Sequence, residues 1–267
     1  MSVKLNAYRP AIALVLPTLD ERGNLEVLFT RSIQLRDRLL HEGVDIHLVV
    51  ADGGSKDGTV EFTQQAITCL PFIHLVALGR PGYGLALKAG INYSLDILCA
   101  SHVAVLDADL SHDLDIICHF WMNWERGIDM VIGSRFSGPA SGMHGSLPRK
   151  GLSYVACKLM KIVSGAEYTE FTNSSRLMSK AFCNKLLDAD LPWETKTYVI
   201  NPAINLFAAS IHANVKEVPI VFAERAYGKS KMKVARYVYD LVTYIVVNRL
   251  KQLERSAHRN AVIRTSG

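Results

Sequence analysis

The sequence predicts an α/β fold: a mostly parallel sheet, Rossmann-like in its alternation, flanked by helices on both faces. Three observations predict it. Between Ala11 and Gly133, short apolar runs alternate with stretches of helical spacing. The runs are continuous rather than alternating with polar residues, as strands buried on both faces are. Carboxylates and glycines gather directly after the runs, where open α/β sheets bind their ligands.

Taken in order, Ala11–Leu16 reads as a strand closed by Pro17, and Asn24–His41 as a helix. Ile46–Ala51 is a second strand, ending in Asp52-Gly53-Gly54; Thr59–Cys69 is a helix, Phe72–Ala77 a third strand and Gly84–Cys99 a third helix. His102–Leu106 is a fourth strand ending at Asp107, Asp113–Arg126 a helix and Asp129–Gly133 a fifth strand. Gly138 to Gly145 reads as a loop, Gly151–Val163 and Asn201–His212 as helices, and Val215–Phe222 as a strand. Val234–Leu253 places Val234, Val238, Leu241, Ile245 and Leu253 near one helical face. The chain thus divides into a main domain over 8–232 and a C-terminal amphipathic, basic helix and tail over 233–267.

Composition narrows the classes. The 267 residues, 49% of them hydrophobic, suffice for one sizeable core. The five cysteines are far apart and form no CxxC pair, so reduced thiols in the cytosol are expected, with neither a disulfide frame nor a zinc site. Met1 to Pro10 is polar, and the apolar run after it is short, so no signal peptide is expected. No run approaches the roughly 20 apolar residues that span a bilayer. The net charge of +5 is uneven: Arg225 to Gly267 holds ten Lys/Arg against Asp240 and Glu254, a local surplus of +8. An anionic partner is therefore met at the C-terminal end; no nucleic-acid partner is expected.

Asp107-Ala108-Asp109 is the sharpest motif. Alternating carboxylates at a strand end can hold Mg²⁺ or Mn²⁺ against a diphosphate, neutralising the leaving phosphate. The competing reading is a polar turn capping the next helix. Asp52 to Thr59 joins a strand to a helix; its glycines permit a ligand's close approach, and Asp52 is placed to accept from a nucleobase or ribose. For Asp57, a helix cap is the simpler reading. Gly82-Tyr83-Gly84 serves equally for ligand approach and for close helix packing.

These pieces, in this order, resemble the family 2 glycosyltransferases of the GT-A fold. The matching stretches include Val15 to Glu21, Asp52 to Thr59, Gly82 to Gly90, Leu106 to His112, Gly133 to Phe136, Arg149 with Ser153, Arg176, Glu217 to Phe222 and Arg225 to Met232. Within the family the chain is most similar to the dolichyl-phosphate or polyprenyl-phosphate mannosyltransferases. The resemblance implies an inverting, metal-dependent transfer of a sugar, mannose favoured, from a nucleotide-diphosphate sugar such as GDP-mannose to a lipid phosphate. It implies that Pro17, Glu21 and Asp52 hold the nucleoside. Asp107, Ala108, Asp109 and Ser111 meet metal and diphosphate, with Asp107 and Asp109 as metal ligands. Arg135, Arg149 and Ser153 bind the acceptor phosphate, and Arg225 and Lys231 close over the phosphates. The chain departs from the family pattern at Asp52-Gly53, at Asn173-Ser174 and near Pro202 and Ala203, where a glutamate is usual.

The acceptor class fits the arginines. A phosphate is already ionised near neutral pH and needs cations, not a base, and arginine's planar fork suits it. In the C-terminal helix, the Tyr237, Leu241, Tyr244, Ile245 face can lie on a membrane, with Arg249, Lys251, Arg255 and Arg259 near headgroups, or can pack on the core. Attachment of that kind is weak, which is compatible with a membrane-protein partner. The expected location is the cytoplasmic face of a membrane. Transfer to a soluble small molecule or protein, nucleotidyl transfer and non-catalytic nucleotide binding are the competing functions.

Overall fold

A computed structural model describes residues 9–144, 147–195, 197–223 and 235–247, with backbone alone for 147–149. Nine strands and eight helices lie among the described residues. β1 (Ala11–Thr18), β2 (Asp45–Asp52), β3 (Ile73–Ala77) and β4 (His102–Val105) alternate with α1 (Arg22–His41), α2 (Thr59–Cys69) and α3 (Tyr83–Asp96). Then follow α4 (Ile116–Met122), β5 (Met130–Ser134), β6 (Gly142–Met143), α5 (Leu147–Ser164), β7 (Arg176–Ser179), α6 (Lys180–Asp188), α7 (Ile200–Ser210), β8 (Val215–Pro219) and β9 (Val221–Phe222). Helix α8 covers 235–247.

Seven strands form one sheet in the order β3-β2-β1-β4-β7-β5-β8. All neighbours are parallel except β7, which runs antiparallel between β4 and β5. The sheet has a helix layer on each face. Leu14, Leu16, Leu48 and Val50 point into the core under α1, α2 and α4. Their chain neighbours Ala13, Val15, Val49 and Ala51 point into the core under α3, α6 and α7. A period of two buried on both sides explains the unbroken apolar runs. A third core, around Cys157, Met160, Phe171, Leu206 and Leu241, lies beneath α5 and α8.

Several expectations change. The Asp113–Arg126 helix shrinks to Ile116–Met122, because Asp113 and Asp115 lie in the turn before it. Strand β7 and helix α6 had no sequence reading. The strand expected over Val215–Phe222 breaks at Ile220 into β8, in the main sheet, and β9, which pairs with β6 inside the expected glycine-rich loop. The Tyr237, Leu241, Tyr244, Ile245 face of α8 packs on the third core instead of facing out. The helix has apolar residues on two faces, and Tyr239, Val242 and Val246 form the exposed one. Its predicted continuation to Leu253 lies outside the described residues. All five cysteines are free thiols, and no described helix is long and apolar enough to cross a membrane.

Candidate active site

The sheet sets the location. β1 pairs with β2 on one side and β4 on the other, so chain connections leave it in opposite directions. A crevice opens at such a switch point, at the carboxyl ends of the strands. Asp20 and Glu21 follow β1 there, and Asp107 to Asp109 follow β4.

The loops after β1 and β2 are laced together. The Asp20 amide donates to Ser55 Oγ (2.7 Å), and the Lys56 amide donates to Asp20 Oδ1 (2.8 Å). Asp57 accepts from the amides of Arg22 (3.1 Å) and Thr59 (3.0 Å), tying the starts of α1 and α2 together. This is a capping role, shared between two helices. Asp52 is wholly buried. Its Oδ1 accepts from the amides of Gly54 (2.8 Å) and Ser55 (2.9 Å), and its Oδ2 from the Ser55 hydroxyl. The turn requires Gly54, whose φ is +87° and whose added Cβ would sit 3.2 Å from the Gly79 carbonyl carbon. Pro17 is buried within β1 opposite Ala51, and Glu21 accepts from the Asn24 side chain. Gly84 serves packing: a Cβ there would lie 2.4 Å from the Trp193 carbonyl oxygen.

Asp107 is half-buried, and its Oδ1 accepts from the Tyr83 hydroxyl at 3.0 Å. Ala108 and Asp109 are buried at 3% exposure each. Asp109 Oδ1 accepts from the Ser111 amide at 3.0 Å, closing a short turn. Ser111 is fully buried, and its Oγ has no hydrogen-bond partner. Buried polar atoms without partners are uncommon, and one beside two carboxylates fits a cation or its water shell. Among the described residues no group of three or more His, Cys, Asp or Glu could hold a metal alone. A hard divalent ion here would take part of its oxygen shell from a ligand and water.

A second cluster lies beyond β7. Arg135, just after β5, donates from Nε to Glu170 Oε2 (2.8 Å) and from Nη2 to Glu170 Oε1 (2.8 Å) and Thr172 Oγ1 (2.6 Å). The side chains of this pair are 8% and 0% exposed. Burial penalises both charges, yet each partner outweighs that penalty: Glu170 is held below, and Arg135 above, its ordinary pKa. Ser153 Oγ on α5 lies 3.1 Å from the same Thr172 hydroxyl. Thr172 therefore joins Arg135 to Ser153. Glu170 and Thr172 had no motif to announce them; Glu170 follows Glu167 in a stretch otherwise of hydroxyl, amide and apolar residues.

β7 separates the two clusters and faces both, since Arg176 pairs in register with Val105 of β4 and Ile132 of β5. Arg176 is fully buried. It donates from Nε to the Ser174 carbonyl (3.0 Å) and from Nη2 to the Asn173 carbonyl (2.6 Å) and Asn201 Oδ1 (3.2 Å). Burial lowers its pKa to about 10, opposed by the fields of Tyr83 and Asp107. Arg225, Lys231 and the Arg149 side chain lie outside the described residues.

Comparisons place this geometry. Residues 13–187 match the profile of the family described as Glycosyl transferase family 2. One curated relative is the undecaprenyl-phosphate 4-deoxy-4-formamido-L-arabinose transferase of Pseudomonas fluorescens (strain Pf0-1). It is 25% identical over 248 residues, which cover 91% of this chain and 67% of the relative. Another is the polyprenol monophosphomannose synthase of Mycolicibacterium smegmatis, 28% identical over 222 residues, 82% of this chain and 80% of the relative. Among solved structures, glucosyl-3-phosphoglycerate synthase from Mycobacterium tuberculosis in complex with uridine diphosphate aligns over 90% of this chain and 80% of its own. The TM-score is 0.63 at 16% identity, a likeness of fold. By its sequence and its GT-A architecture, this chain belongs to glycosyl transferase family 2.

Proposed function

We propose that the chain is an inverting transferase that moves a sugar, mannose favoured, from a nucleotide-diphosphate sugar such as GDP-mannose to a polyprenyl or dolichyl phosphate. The observation that carries this reading is the two-sidedness of α5. Its inner face brings Ser153 to Thr172 and thus to Arg135. Its outer face leaves Leu152 (40%), Val155 (53%), Leu159 (55%) and Ile162 (71%) in water. One helix thus offers a polar contact for a phosphate and an apolar surface for the chain attached to it. The exposed Tyr239, Val242 and Val246 of α8 add to that surface, and Lys150, Lys158 and Lys161 suit anionic headgroups. The names of the two curated relatives, an undecaprenyl-phosphate sugar transferase and a polyprenol monophosphomannose synthase, support the same acceptor.

In this reading Pro17, Glu21 and the loop braced by Asp52 form the nucleoside wall. Asp52 acts by shaping that loop, because its oxygens serve Gly54 and Ser55. Asp107 and Asp109, with Ser111 and the Ala108 backbone beside them, would hold Mg²⁺ or Mn²⁺, which supplies charge neutralisation for the departing diphosphate. Arg135 is matched by Glu170, so its local charge is already offset; the further cations for two phosphorylated substrates are Arg149, Arg225 and Lys231. The ionised acceptor attacks the anomeric carbon in line, so no protein base is required and the configuration inverts. We place the protein at the cytoplasmic face of a membrane, peripherally held, and a membrane-protein partner is compatible with so shallow an attachment. The test is a panel of nucleotide sugars with Mn²⁺, offered either a polyprenyl phosphate or hydroxyl-bearing acceptors. Nucleoside diphosphate release that depends on the lipid phosphate supports the proposal; release with hydroxyl acceptors alone refutes it.

A further inference from the structure

Three hydrogen bonds run in one direction through the site. Arg176 Nη2 donates to Asn201 Oδ1 (3.2 Å), Asn201 Nδ2 donates to Tyr83 Oη (3.5 Å), and the Tyr83 hydroxyl donates to Asp107 Oδ1 (3.0 Å). Each donor is fixed by its neighbour. Arginine only donates, so the Asn201 oxygen must face it and the amide nitrogen must face Tyr83. Tyr83 has one hydrogen, and the amide already serves its oxygen, so the hydrogen goes to the carboxylate. Such chains polarise in the same sense and strengthen one another.

The ends explain why the chain exists. Arg176 is fully buried and forms no ion pair with a carboxylate among the described residues. A buried charge without compensation is costly. Asp107, at the other end, is the nearest acid reached through this relay. The Tyr83 ring is itself held against the ring of Tyr198, with centroids 4.7 Å apart and planes tilted by 55°. Three elements, β7, α7 and α3, therefore converge on one carboxylate at the end of β4.

We infer that Tyr83, Asn201 and Arg176 are positioning residues that orient the Asp107 carboxylate before any ligand arrives. This rests on the reading that Asp107 is a metal ligand. A carboxylate left to rotate would have to be ordered on binding, at the expense of affinity. One fixed by Tyr83 presents its plane ready-made. A neutral amide is the side chain that can accept from arginine and donate to tyrosine together.

The test measures Mn²⁺ binding directly, by the paramagnetic resonance signal of free Mn²⁺, with GDP and, in parallel, UDP present and no turnover. Tyr83→Phe keeps the ring and removes both hydrogen bonds of the hydroxyl, one of them to a charged group; Mn²⁺ affinity should fall roughly tenfold, with the fold retained by circular dichroism. Asn201→Leu should give a similar loss, and the double variant little more than either single one, since both break one chain. Wild-type Mn²⁺ affinity in Tyr83→Phe overturns the inference while leaving the metal reading intact. No nucleotide-dependent Mn²⁺ binding by the unaltered protein overturns both. Additive losses in the double variant overturn the relay, because the two residues would then act separately.

Discussion

Thr172 holds Arg135 and Ser153 together: its hydroxyl accepts from the arginine's Nη2 at 2.6 Å and lies 3.1 Å from the serine's Oγ. The two residues belong to different elements, the end of β5 and the inner face of α5, and Thr172 bridges them. Replacing Thr172 by Val keeps the volume and removes both contacts. The lost hydrogen bonds, one from a charged donor and a third at 3.3 Å to Glu170 Oε1, should lower stability by about 2–4 kcal/mol. If the phosphate reading is right, acceptor use should fall more than nucleotide-sugar binding. Equal loss of both, measured by KM for each substrate, would separate Thr172 from the acceptor.

Glu170 and Arg135 form the buried ion pair of the site. Glu170→Gln leaves a cation with a neutral partner and should destabilise the protein by about 3 kcal/mol, while Arg135→Met with Glu170→Gln should recover part of that, since the amide oxygen still serves the backbone amides of Thr172 and Asn173. Urea unfolding reads both. The sign with pH follows from the lowered pKa of Glu170. Its contribution is full above the ordinary glutamate range and is lost as pH falls through the lower folded value. Glu170→Gln should therefore flatten the acid limb of the stability profile.

Asp109→Asn removes one carboxylate from the proposed metal shell and should abolish transfer with the fold retained, since the Ser111 amide can still bond the side-chain oxygen. Full activity in EDTA would remove the metal from the account.

Leu159→Asp and Ile162→Asp change side chains that are already 55% and 71% exposed, so unfolding should shift little. Binding to anionic vesicles should fall by roughly tenfold or more, because burying such a side chain is worth about 1.5–3 kcal/mol. Use of a short, water-soluble prenyl phosphate should survive. Unchanged vesicle binding in both variants would assign the α5 surface to another contact.

His102 lies against Trp121 and Trp124, at ring separations of 5.3 and 4.6 Å, and burial lowers its pKa to about 4. The unfolded chain takes up a proton near pH 6.5, which the folded chain refuses until about pH 4. Stability from this residue is thus present above pH 6.5 and declines as pH falls towards 4. His102→Phe should remove that slope, read by chemical unfolding at pH 7 and pH 5.

The alternation of strands and helices was legible because both faces of the sheet are covered, which leaves unbroken runs such as Ala13 to Leu16. The position of Asp107 and Asp109 was legible for the same reason: a strand's end marks the ligand rim. Strand β7 was not, because only Arg176–Ser179 forms it and a buried arginine opens it, contrary to any apolar pattern. The partners of Arg135 and Asp107 were not legible either. Glu170 lies 35 residues from Arg135, and Asn201 lies 118 from Tyr83; no local spacing encodes such pairs. For α8, two apolar faces left the choice of inner face to the third core, which took Leu241 and Tyr244.

Transfer to a lipid phosphate is read directly in its product. The purified chain is incubated with Mn²⁺, GDP-mannose and a polyprenyl phosphate, and the lipid fraction is analysed for a mannosyl phosphate of inverted anomeric configuration. One such product is expected for each GDP released, with no comparable release in the absence of the lipid phosphate. GDP released at the same rate with a soluble hydroxyl acceptor, and no sugar on the lipid, would contradict it.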